Sequence, residues 1–278
     1  MIEIREVTVR YGSTVAVDDV TLTVPDGALY GLLGPNGAGK TSTISCIAGL
    51  VEPAAGQIVV GGIDVRQQPE EARRRLGLVP QTLALYPTLS VVQNLRFFGA
   101  LFGLLGARSK DRVDWGLALA QLEGRAEARV DQLSGGMKRR LNLACALLHD
   151  PAVILCDEPT TGVDPQSRNH LFETIRQLNA EGRTVLYTTH YMEEVEALCT
   201  DVAIMDHGKV IADDRLDRLL ATGAATRELT VKLDADVEPA LLRQALADAG
   251  LPVAGVESRG RSLEKLFLEL TGHGLRDT

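Results

Sequence analysis

The sequence predicts an α/β fold with a parallel-sheet core, and three patterns carry that prediction. Some apolar segments are continuous, as expected of strands that are buried on both faces of a parallel sheet. Helical segments separate them, such as 164–181, in which Leu171, Ile175 and Leu178 recur at helical spacing. The continuous segments are "ALYGLLG" (28–34), "LGLVP" (76–80), "AVILCDEP" (152–159) and "TVLYTTH" (184–190).

The third pattern is that each continuous segment ends in polar residues. The first runs into a glycine-rich loop, and the others end at Gln81, at the pair Asp157 and Glu158, and at His190. In open α/β sheets, ligands bind beyond the carboxyl ends of the strands. The four loops are therefore expected to converge on one site.

The N-terminal residues 1–27 alternate between apolar and polar residues instead. Short strands are predicted at 2–4, 7–9 and 20–24, before a turn at Pro25-Asp26-Gly27. The segment "GQIVVGGIDV" (56–65) predicts a further strand pair around a Gly-Gly turn. Together these segments indicate an antiparallel β subdomain covered on one face.

Two changes of pattern suggest the domain organisation. Residues 84–150 are mostly helical in character, which indicates a helical subdomain inserted into the α/β core. After about residue 218, a strand-like segment (228–234), an amphipathic segment (239–249) and a helix-like segment near the C-terminus (262–272) follow. We therefore predict a main domain over 1–218 and a small α+β accessory domain over 219–278.

Composition excludes several classes of function. The net charge of -8 leaves no basic excess with which to coat a nucleic acid, so no nucleic-acid partner is expected. The four cysteines are widely spaced and form no metal or disulfide pattern, which favours the cytosol. The longest apolar candidate, "FFGALFGLLGA" (97–107), is about half of the roughly 20 residues that a spanning helix needs. No membrane-spanning segment is expected.

The segment "GPNGAGKT" (34–41) matches the phosphate-binding pattern G-x-x-x-x-G-K-[ST]. Glycines let backbone N–H groups approach phosphates, and the N-terminus of the following helix adds partial positive charge. In this pattern Lys40 reaches the outer phosphates and Thr41 ligates Mg²⁺. The alternative, a glycine-rich turn without a ligand, is less consistent with the buried strand before the loop and the helix after it. The core is therefore predicted to be that of a P-loop NTPase.

Asp157 and Glu158 end an apolar strand. Because neighbouring residues of a strand point to opposite faces, the two carboxylates are expected to serve different partners. We assign Asp157 to Mg²⁺ and Glu158 to the attacking water. The alternative is that both simply cap the loop before Pro159. Beside a phosphate loop, the catalytic interpretation is favoured.

A second glycine-rich turn occurs about a hundred residues later, in "LSGGMKRR" (133–140). Cations at the start of a helix oppose the helix dipole, so Lys138, Arg139 and Arg140 favour an anion docking there. The alternative is a surface helix whose basic residues meet solvent or a carboxylate.

These motifs together resemble those of ABC transporter ATP-binding subunits. "GPNGAGKT", Gln81, "LSGGMKRR", "VILCDEP", "TGVDP" (161–165) and His190 occur in the family's order, and the resemblance covers about residues 1–215. It implies ATP and Mg²⁺ as ligands, with Glu158 as the catalytic base. Gln81 resembles the glutamine that senses the metal and the water, and His190 the histidine that contacts the γ-phosphate. The nucleotide-contacting residues implied are Tyr11, Gly34, Pro35, Asn36, Gly37, Ala38, Gly39, Lys40, Thr41, Ser42, Ser134, Gly135, Gly136 and Asp164; those implied at the metal are Thr41, Gln81 and Asp157.

Three further expectations come from the same resemblance. Two copies are expected to pack head to tail, so that Ser134, Gly135 and Gly136 contact the γ-phosphate held by the other copy. Asp164 resembles the aspartate of the loop between subunits. Tyr11 resembles the aromatic residue that stacks on adenine, although packing within the N-terminal sheet would explain it nearly as well.

The stretch "YPTLSVVQNLRFFGALFGL" (86–104) and the C-terminal "SLEKLFLELTG" (262–272) are similar to a branch that exports drugs, lipids or glycans through a separate permease. The chain is therefore expected to act at the cytoplasmic face of the membrane. Met137 replaces the usual glutamine, and Gln93 stands where relatives commonly have glutamate. Phe97, Phe98, Leu101 and Phe102 either line the groove for the permease or fill the helical core.

Two other functions are compatible with the motifs. One is a soluble ABC ATPase that acts on ribosomes or DNA, against which the net charge of -8 argues. The other is a nucleotide sensor without catalysis, whose signal would pass through residues 219–278. Its lack of catalysis is disfavoured by the presence of all four catalytic-site residues, Lys40, Asp157, Glu158 and His190.

Overall fold

The computed structural model describes residues 1–222, 237–251 and 253. The chain divides into two compact units, Met1–Thr222 and Gly223–Thr278. Within the described residues, no helix combines the length and the apolar composition needed to cross a membrane.

The described residues form ten strands and nine α-helices. The strands are β1 (Ile2–Tyr11), β2 (Thr14–Val24), β3 (Leu29–Leu33), β4 (Ala55–Val60), β5 (Ile63–Asp64), β6 (Leu76–Val79), β7 (Val153–Asp157), β8 (Thr184–Thr189), β9 (Asp201–Asp206) and β10 (Lys209–Arg215). The helices are α1 (Lys40–Ile47), α2 (Pro69–Arg75), α3 (Val91–Leu101), α4 (Gly106–Ala120), α5 (Gly135–Ala146), α6 (Pro165–Ala180), α7 (Met192–Leu198), α8 (Leu216–Thr222) and α9 (Pro239–Asp248).

The N-terminal sheet is antiparallel, with strand order β2-β1-β4-β5. The predicted short strands at 2–4 and 7–9 form one long strand, β1. Their apolar residues fall out of phase because the register shifts between Ile4 and Val7, where Glu6 has a φ of 51°. A β-bulge of this kind adds a residue and restores the inward face afterwards. The glycine turn between β4 and β5 joins a strand pair, as predicted.

The central sheet has the order β10-β9-β3-β8-β7-β6. All its neighbouring strands are parallel except β10, which pairs antiparallel with β9 at the edge. The four continuous apolar segments form β3, β6, β7 and β8, and β7 and β8 are buried along their whole length. This confirms the predicted α/β core, and it brings the carboxyl ends of these strands to one edge.

Helices α3, α4 and α5 occupy the segment predicted to be a helical subdomain, and they share a core that includes Leu95, Leu141 and Leu148. Helix α3 begins with a capping box, in which Ser90 and Gln93 each accept a hydrogen bond from the other's backbone N–H. Gln93 thus has a local role in the helix.

The aromatic residues of α3 are divided between core and surface. Phe98 packs against the helical core, and Phe102 stacks on His149 with ring centroids 3.6 Å apart. Phe97 and Leu101 are exposed, by 38% and 65%. Core packing therefore describes Phe98 and Phe102, whereas Phe97 and Leu101 lie at the surface.

In the second unit, the amphipathic segment 239–249 contains α9, with Pro239 in its first turn. The predicted strand at 228–234 and the predicted helix at 262–272 lie outside the described residues. The assignment of 219–278 to an accessory domain stays a prediction.

Candidate active site

The first glycine-rich turn joins β3 to α1, and two of its glycines are required by their surroundings. A Cβ atom on Gly34 would lie 2.2 Å from the carbonyl oxygen of Met205. Gly39 has a φ of 107°, and its Cβ would lie 2.4 Å from the carbonyl oxygen of Ala16. Gly37 also has a positive φ, of 84°, but nothing lies near its Cβ position. The backbone around Gly34 and Gly39 therefore leaves no room for a side chain, and at Gly37 the positive φ alone favours glycine.

The remaining residues of the turn differ in exposure. Pro35 and Asn36 are exposed, Ser42 is half-buried, and Ala38 is buried. The Ala38 carbonyl accepts a hydrogen bond from the Gly208 N–H at 3.0 Å, which ties the turn to the loop after β9.

Lys40 begins α1 and is 4% exposed. Its ammonium group donates to the carbonyl oxygens of Gly34 and Pro35, at 2.7 and 3.0 Å. Nζ also lies 3.1 Å from Oε1 of Glu158. The Lys40 ammonium therefore lies against the backbone of the turn and next to Glu158, which follows β7.

Asp157, the last residue of β7, faces α1. Its Oδ1 accepts hydrogen bonds from the hydroxyls of Thr41 and Thr188, at 3.2 and 2.7 Å. Burial raises the pKa of the Asp157 carboxyl, and these two hydrogen bonds oppose that effect. The pair Thr41 and Asp157 thus presents hard oxygen atoms beside the phosphate turn.

Glu158 follows the strand in a left-handed conformation, with a φ of 42°. Such a conformation is strained for a residue other than glycine, and strain of this kind is concentrated at functional sites. The backbone N–H is held by the Thr188 hydroxyl at 3.0 Å. Alternation of faces holds within a strand, but β7 ends at Asp157. Because the chain turns at Glu158, both carboxylates reach the first glycine-rich turn. There Asp157 contacts Thr41, and Glu158 contacts Lys40.

Three predicted side chains meet at the Glu158 carboxylate. Nζ of Lys40 lies beside Oε1, and Nε2 of Gln81 donates to Oε2 at 3.1 Å. Nδ1 of His190 is 3.3 Å from Oε2, is shielded from solvent, and makes no hydrogen bond among the described residues. These groups come from the loops after β3, β6, β7 and β8, so the loops converge as expected.

Sequence reasoning missed a buried network behind this site. The carboxylate of Glu194, on α7, is 2% exposed and accepts hydrogen bonds from Thr160, Tyr187 and Thr189. Thr160 lies two residues after Glu158, and Thr189 precedes His190. The network therefore ties together the loops that carry these two residues. A glutamate in the short polar sequence of α7 gives no sign of burial, so the sequence alone could not have revealed it.

The second glycine-rich turn begins α5. Ser134 is the N-cap of this helix, and its hydroxyl accepts a hydrogen bond from the Met137 N–H at 3.3 Å. A Cβ on Gly136 would lie 2.0 Å from the hydroxyl oxygen of Ser167, so this turn packs closely on the start of α6. Around Gly135, by contrast, nothing lies within 4 Å of a Cβ position. No described part of the chain requires glycine there.

The three cations after this turn bind oxygen atoms of their own chain. Lys138 donates to the Asp131 carbonyl at 3.5 Å, and Arg140 donates to Oε1 of Gln121 at 2.9 Å. Arg139 donates to the carbonyls of Gln81 and Thr161. Of the partners considered from the sequence, neither solvent nor a carboxylate describes these contacts, and a docked anion stays a prediction.

Among the described residues, no hydrogen bond joins Asp164 or Tyr11 to the Glu158 carboxylate. Asp164 is the N-cap of α6, and its Oδ1 accepts a hydrogen bond from the Ser167 N–H at 2.8 Å. Tyr11 ends β1 and is 50% exposed, so its ring is not part of the core of the N-terminal sheet.

The fold and the site together define a P-loop ATPase. A family model described as "ABC transporter" matches residues 17–161. The linearmycin resistance ATP-binding protein LnrL of Bacillus subtilis is 39% identical to this chain, over 100% of both proteins. The Nod factor export ATP-binding protein I of Cupriavidus pinatubonensis is 41% identical, over 100% of this chain and 92% of that protein. The chain belongs to the ABC transporter family.

Solved structures agree with this assignment. An ATP-binding subunit of an ABC transporter has 32% identity and a TM-score of 0.73, over 81% of this chain and 95% of that one. A dimeric ATP-binding cassette in a post-hydrolysis state, bound to ADP and Pi, has 26% identity and a TM-score of 0.71, over 78% and 99%. The chain thus has the fold of an ABC ATPase domain, which binds and hydrolyses ATP.

Proposed function

We propose that this chain binds ATP with Mg²⁺, forms a dimer around two nucleotides, and uses ATP hydrolysis to drive an export permease from the cytoplasmic face of the membrane. The observation that carries the proposal is the convergence of Lys40, Gln81 and His190 on the Glu158 carboxylate, next to the pair Thr41 and Asp157. A charged nucleotide and an attacking water need such a set of groups.

The residues around Thr41 fit a magnesium ion. Mg²⁺ prefers oxygen ligands and is usually bound by one or two carboxylates together with substrate phosphates. Thr41 and Asp157 supply a hydroxyl and a carboxylate 3.2 Å apart. A complete cage would need more, and the described residues contain no cluster of three or more His, Cys, Asp or Glu that could hold a metal. Thr41 and Asp157 would hold the ion, and its positive charge would offset the negative charge that develops on the phosphate during hydrolysis.

The chain's own residues account for the other steps. Lys40 would exchange its contacts to the turn for the outer phosphates, and the N–H groups of the turn and of α1 would hold the remaining phosphate oxygens. That exchange would free Oε1 of Glu158, which could then accept a proton from the attacking water. Gln81 would orient the water, and Nδ1 of His190, which is buried beside Glu158 without a hydrogen bond, would contact the γ-phosphate.

The dimer is supported by the exposed residues Ser134 and Gly135 of the second glycine-rich turn. Gly135 is a glycine although no described group crowds it, which leaves room for a group from outside the chain. Relatives of the fold are solved as dimers. We infer that a second copy presents its nucleotide to this turn, and that this copy's nucleotide contacts the partner's equivalent turn, with Tyr11 against the adenine ring.

The proposal of an export permease as partner rests on the relatives. The two proteins compared above are named for linearmycin resistance and for Nod factor export, and both match the full length of this chain. The exposed Phe97 and Leu101 on α3 provide apolar contacts for such a partner. If so, the chain should remain with washed membranes when the permease is present and be released when it is deleted.

The central test uses Glu158→Gln, which keeps the shape of the side chain but removes the base. We expect ATP binding to be unchanged and the rate of phosphate release to fall by about a hundredfold or more. Light scattering should show a dimer of this variant only with Mg·ATP. Glu173→Gln, an exposed carboxylate on α6, is the matched control and should hydrolyse ATP normally.

Three outcomes would each contradict a part of the proposal. Normal turnover by Glu158→Gln would show that Glu158 is not the base. Normal turnover of the unchanged protein after removal of divalent cations with EDTA would exclude the magnesium site. A dimer that forms equally well without nucleotide would contradict assembly around ATP.

A further inference from the structure

The guanidinium of Arg139, on α5, lies between two loops of the active site. Nη1 donates to the carbonyl of Gln81 and, at 3.4 Å, to that of Pro80, while Nη2 donates to the carbonyl of Thr161 at 3.0 Å. The first two carbonyls belong to the loop after β6, and the third to the loop after β7. One side chain therefore sets the distance between the two loops.

Both loops place a side chain on the same oxygen atom. Nε2 of Gln81 donates to Oε2 of Glu158 at 3.1 Å, and the Thr161 hydroxyl lies 3.5 Å from that oxygen. The Thr161 N–H also donates to the Glu158 carbonyl at 3.2 Å. The two residues whose carbonyls Arg139 binds are thus the two that contact Glu158 Oε2 from these loops.

Arg139 holds this place without a counter-ion. Burial lowers the pKa of its guanidinium, since removal from water disfavours the charged form. No carboxylate of the described residues forms an ion pair with it; only carbonyl oxygens bind it. An arginine can hold two acceptors at fixed positions with its planar fork, which a lysine ammonium cannot do. The position therefore needs the geometry of arginine as well as its charge.

We propose that Arg139 is a positioning residue for ATP hydrolysis. It binds the carbonyls of Gln81 and Thr161 and so keeps their side chains against Glu158. Because Arg139 lies one turn after Gly136 on the same helix, a group that docks on the second glycine-rich turn would act directly on this arrangement. The inference depends on the proposed role of Glu158 as the base.

The test is Arg139→Lys, which keeps the positive charge and removes the fork. We expect kcat to fall by about tenfold, because displacements of about 1 Å near the reacting atoms can lower rates by up to a hundredfold. The Kd for ATP should stay within about twofold, since the phosphate turn is untouched. Both are measured well below the thermal midpoint of each variant, as phosphate release and as nucleotide titration.

Arg112→Lys is the matched control. Arg112 is also a half-buried arginine that donates to two backbone carbonyls, those of Leu147 and Leu148, at 2.8 and 2.7 Å. These carbonyls lie at the end of α5 opposite to the active site. The variant should lose comparable stability and keep its kcat within about twofold.

A second measurement separates positioning from general support of the fold. In a background with Gln81→Ala and Thr161→Ala, the groups through which Arg139 acts are absent, so adding Arg139→Lys should lower the rate by less than about twofold. Single-turnover reactions with excess enzyme keep these slow rates measurable. The same tenfold factor in both backgrounds, or failure of Arg139→Lys to fold, would overturn the inference.

The outcome for Glu158→Gln separates this inference from the proposed function. Normal turnover by that variant would overturn the proposed base, and with it the proposal for Arg139. Loss of turnover in Glu158→Gln together with a normal kcat in Arg139→Lys would overturn the inference about Arg139 alone.

Discussion

The two glycine-rich turns of this chain have similar sequences but differ at one glycine. A crowded Cβ position or a positive φ explains each glycine of the first turn, and crowding explains Gly136 of the second, but neither explains Gly135. In the first turn, Gly34 and Gly39 are glycines because the chain's own backbone leaves no room for a Cβ. In the second, Gly135 faces open space. The first turn is complete within one chain, whereas the second has an unused surface. The difference is consistent with the proposed dimer, in which a second copy would complete the site at the second turn.

The largest effect on stability is expected at the first turn. Gly39→Ala would combine an unfavourable φ of 107° with a Cβ 2.4 Å from the Ala16 carbonyl oxygen, so we expect a loss of about 2–4 kcal/mol in the free energy of unfolding. Gly37→Ala, where φ is 84° and nothing lies nearby, is the control and should cost about 1 kcal/mol. Urea denaturation measures both. Equal losses would show that crowding does not explain Gly39.

The next largest loss of stability is expected in the buried Glu194 network, which contacts the loops that carry Glu158 and His190. Glu194→Gln places an amide among three hydroxyls that now donate to a carboxylate, and we expect a loss of about 2–3 kcal/mol. Glu193→Gln, an exposed neighbour, should change stability by less than about 0.5 kcal/mol. If both variants unfold at the same urea concentration, the network does not support the loops of Glu158 and His190.

A smaller loss is expected for Ser134→Ala, because it removes the hydroxyl that caps α5. N-cap residues contribute about 1 kcal/mol, and Ser134→Thr should retain most of that amount. Thermal unfolding of the nucleotide-free monomer isolates this local role from any contact with a second chain. A stability unchanged by Ser134→Ala would mean that the serine serves the partner's nucleotide alone.

The smallest effect on stability, and the sharpest test of the comparison, is Gly135→Ala. The free energy of unfolding should be unchanged or higher, by less than about 1 kcal/mol, since alanine favours a helix. In the Glu158→Gln background, however, the ATP-dependent dimer should dissociate about ten times more readily, equivalent to about 1.4 kcal/mol. Sedimentation at several concentrations measures the dimer. A dimer of normal strength would show that the second turn does not contact a nucleotide.

Several features of the site could be predicted because they depend on local chemistry. The pattern from Gly34 to Thr41 specifies a phosphate turn wherever it follows a buried strand. Gln81, Glu158 and His190 were expected to meet because the carboxyl ends of parallel strands share one edge. In the structure, Nε2 of Gln81 and Nδ1 of His190 lie 3.1 and 3.3 Å from Oε2 of Glu158. The four apolar strands were predictable because burial on both faces removes alternation.

Other features were not predictable. Strands β9 and β10 were not predicted. The apolar run of β9 is only four residues long (202–205) and lies between two aspartates, and β10 exposes alternate residues at the edge of the sheet. Arg139 looked like one of three cations on a helix surface, because a sequence cannot show that backbone carbonyls of distant loops lie within reach. In the same way, the burial of Glu194 depends on hydroxyls contributed by three separate positions.

The sequence by itself determined the family, the fold class and the chemical types at the active site, because these follow from short-range patterns of apolar residues, glycines and charges. Tertiary structure alone decided which way those side chains point. The left-handed turn at Glu158, the fork of Arg139 between two loops and the open space at Gly135 all arise from the packing of segments far apart in the chain. Such packing depends on the whole fold, whereas a sequence motif consists of residues that are adjacent in the chain.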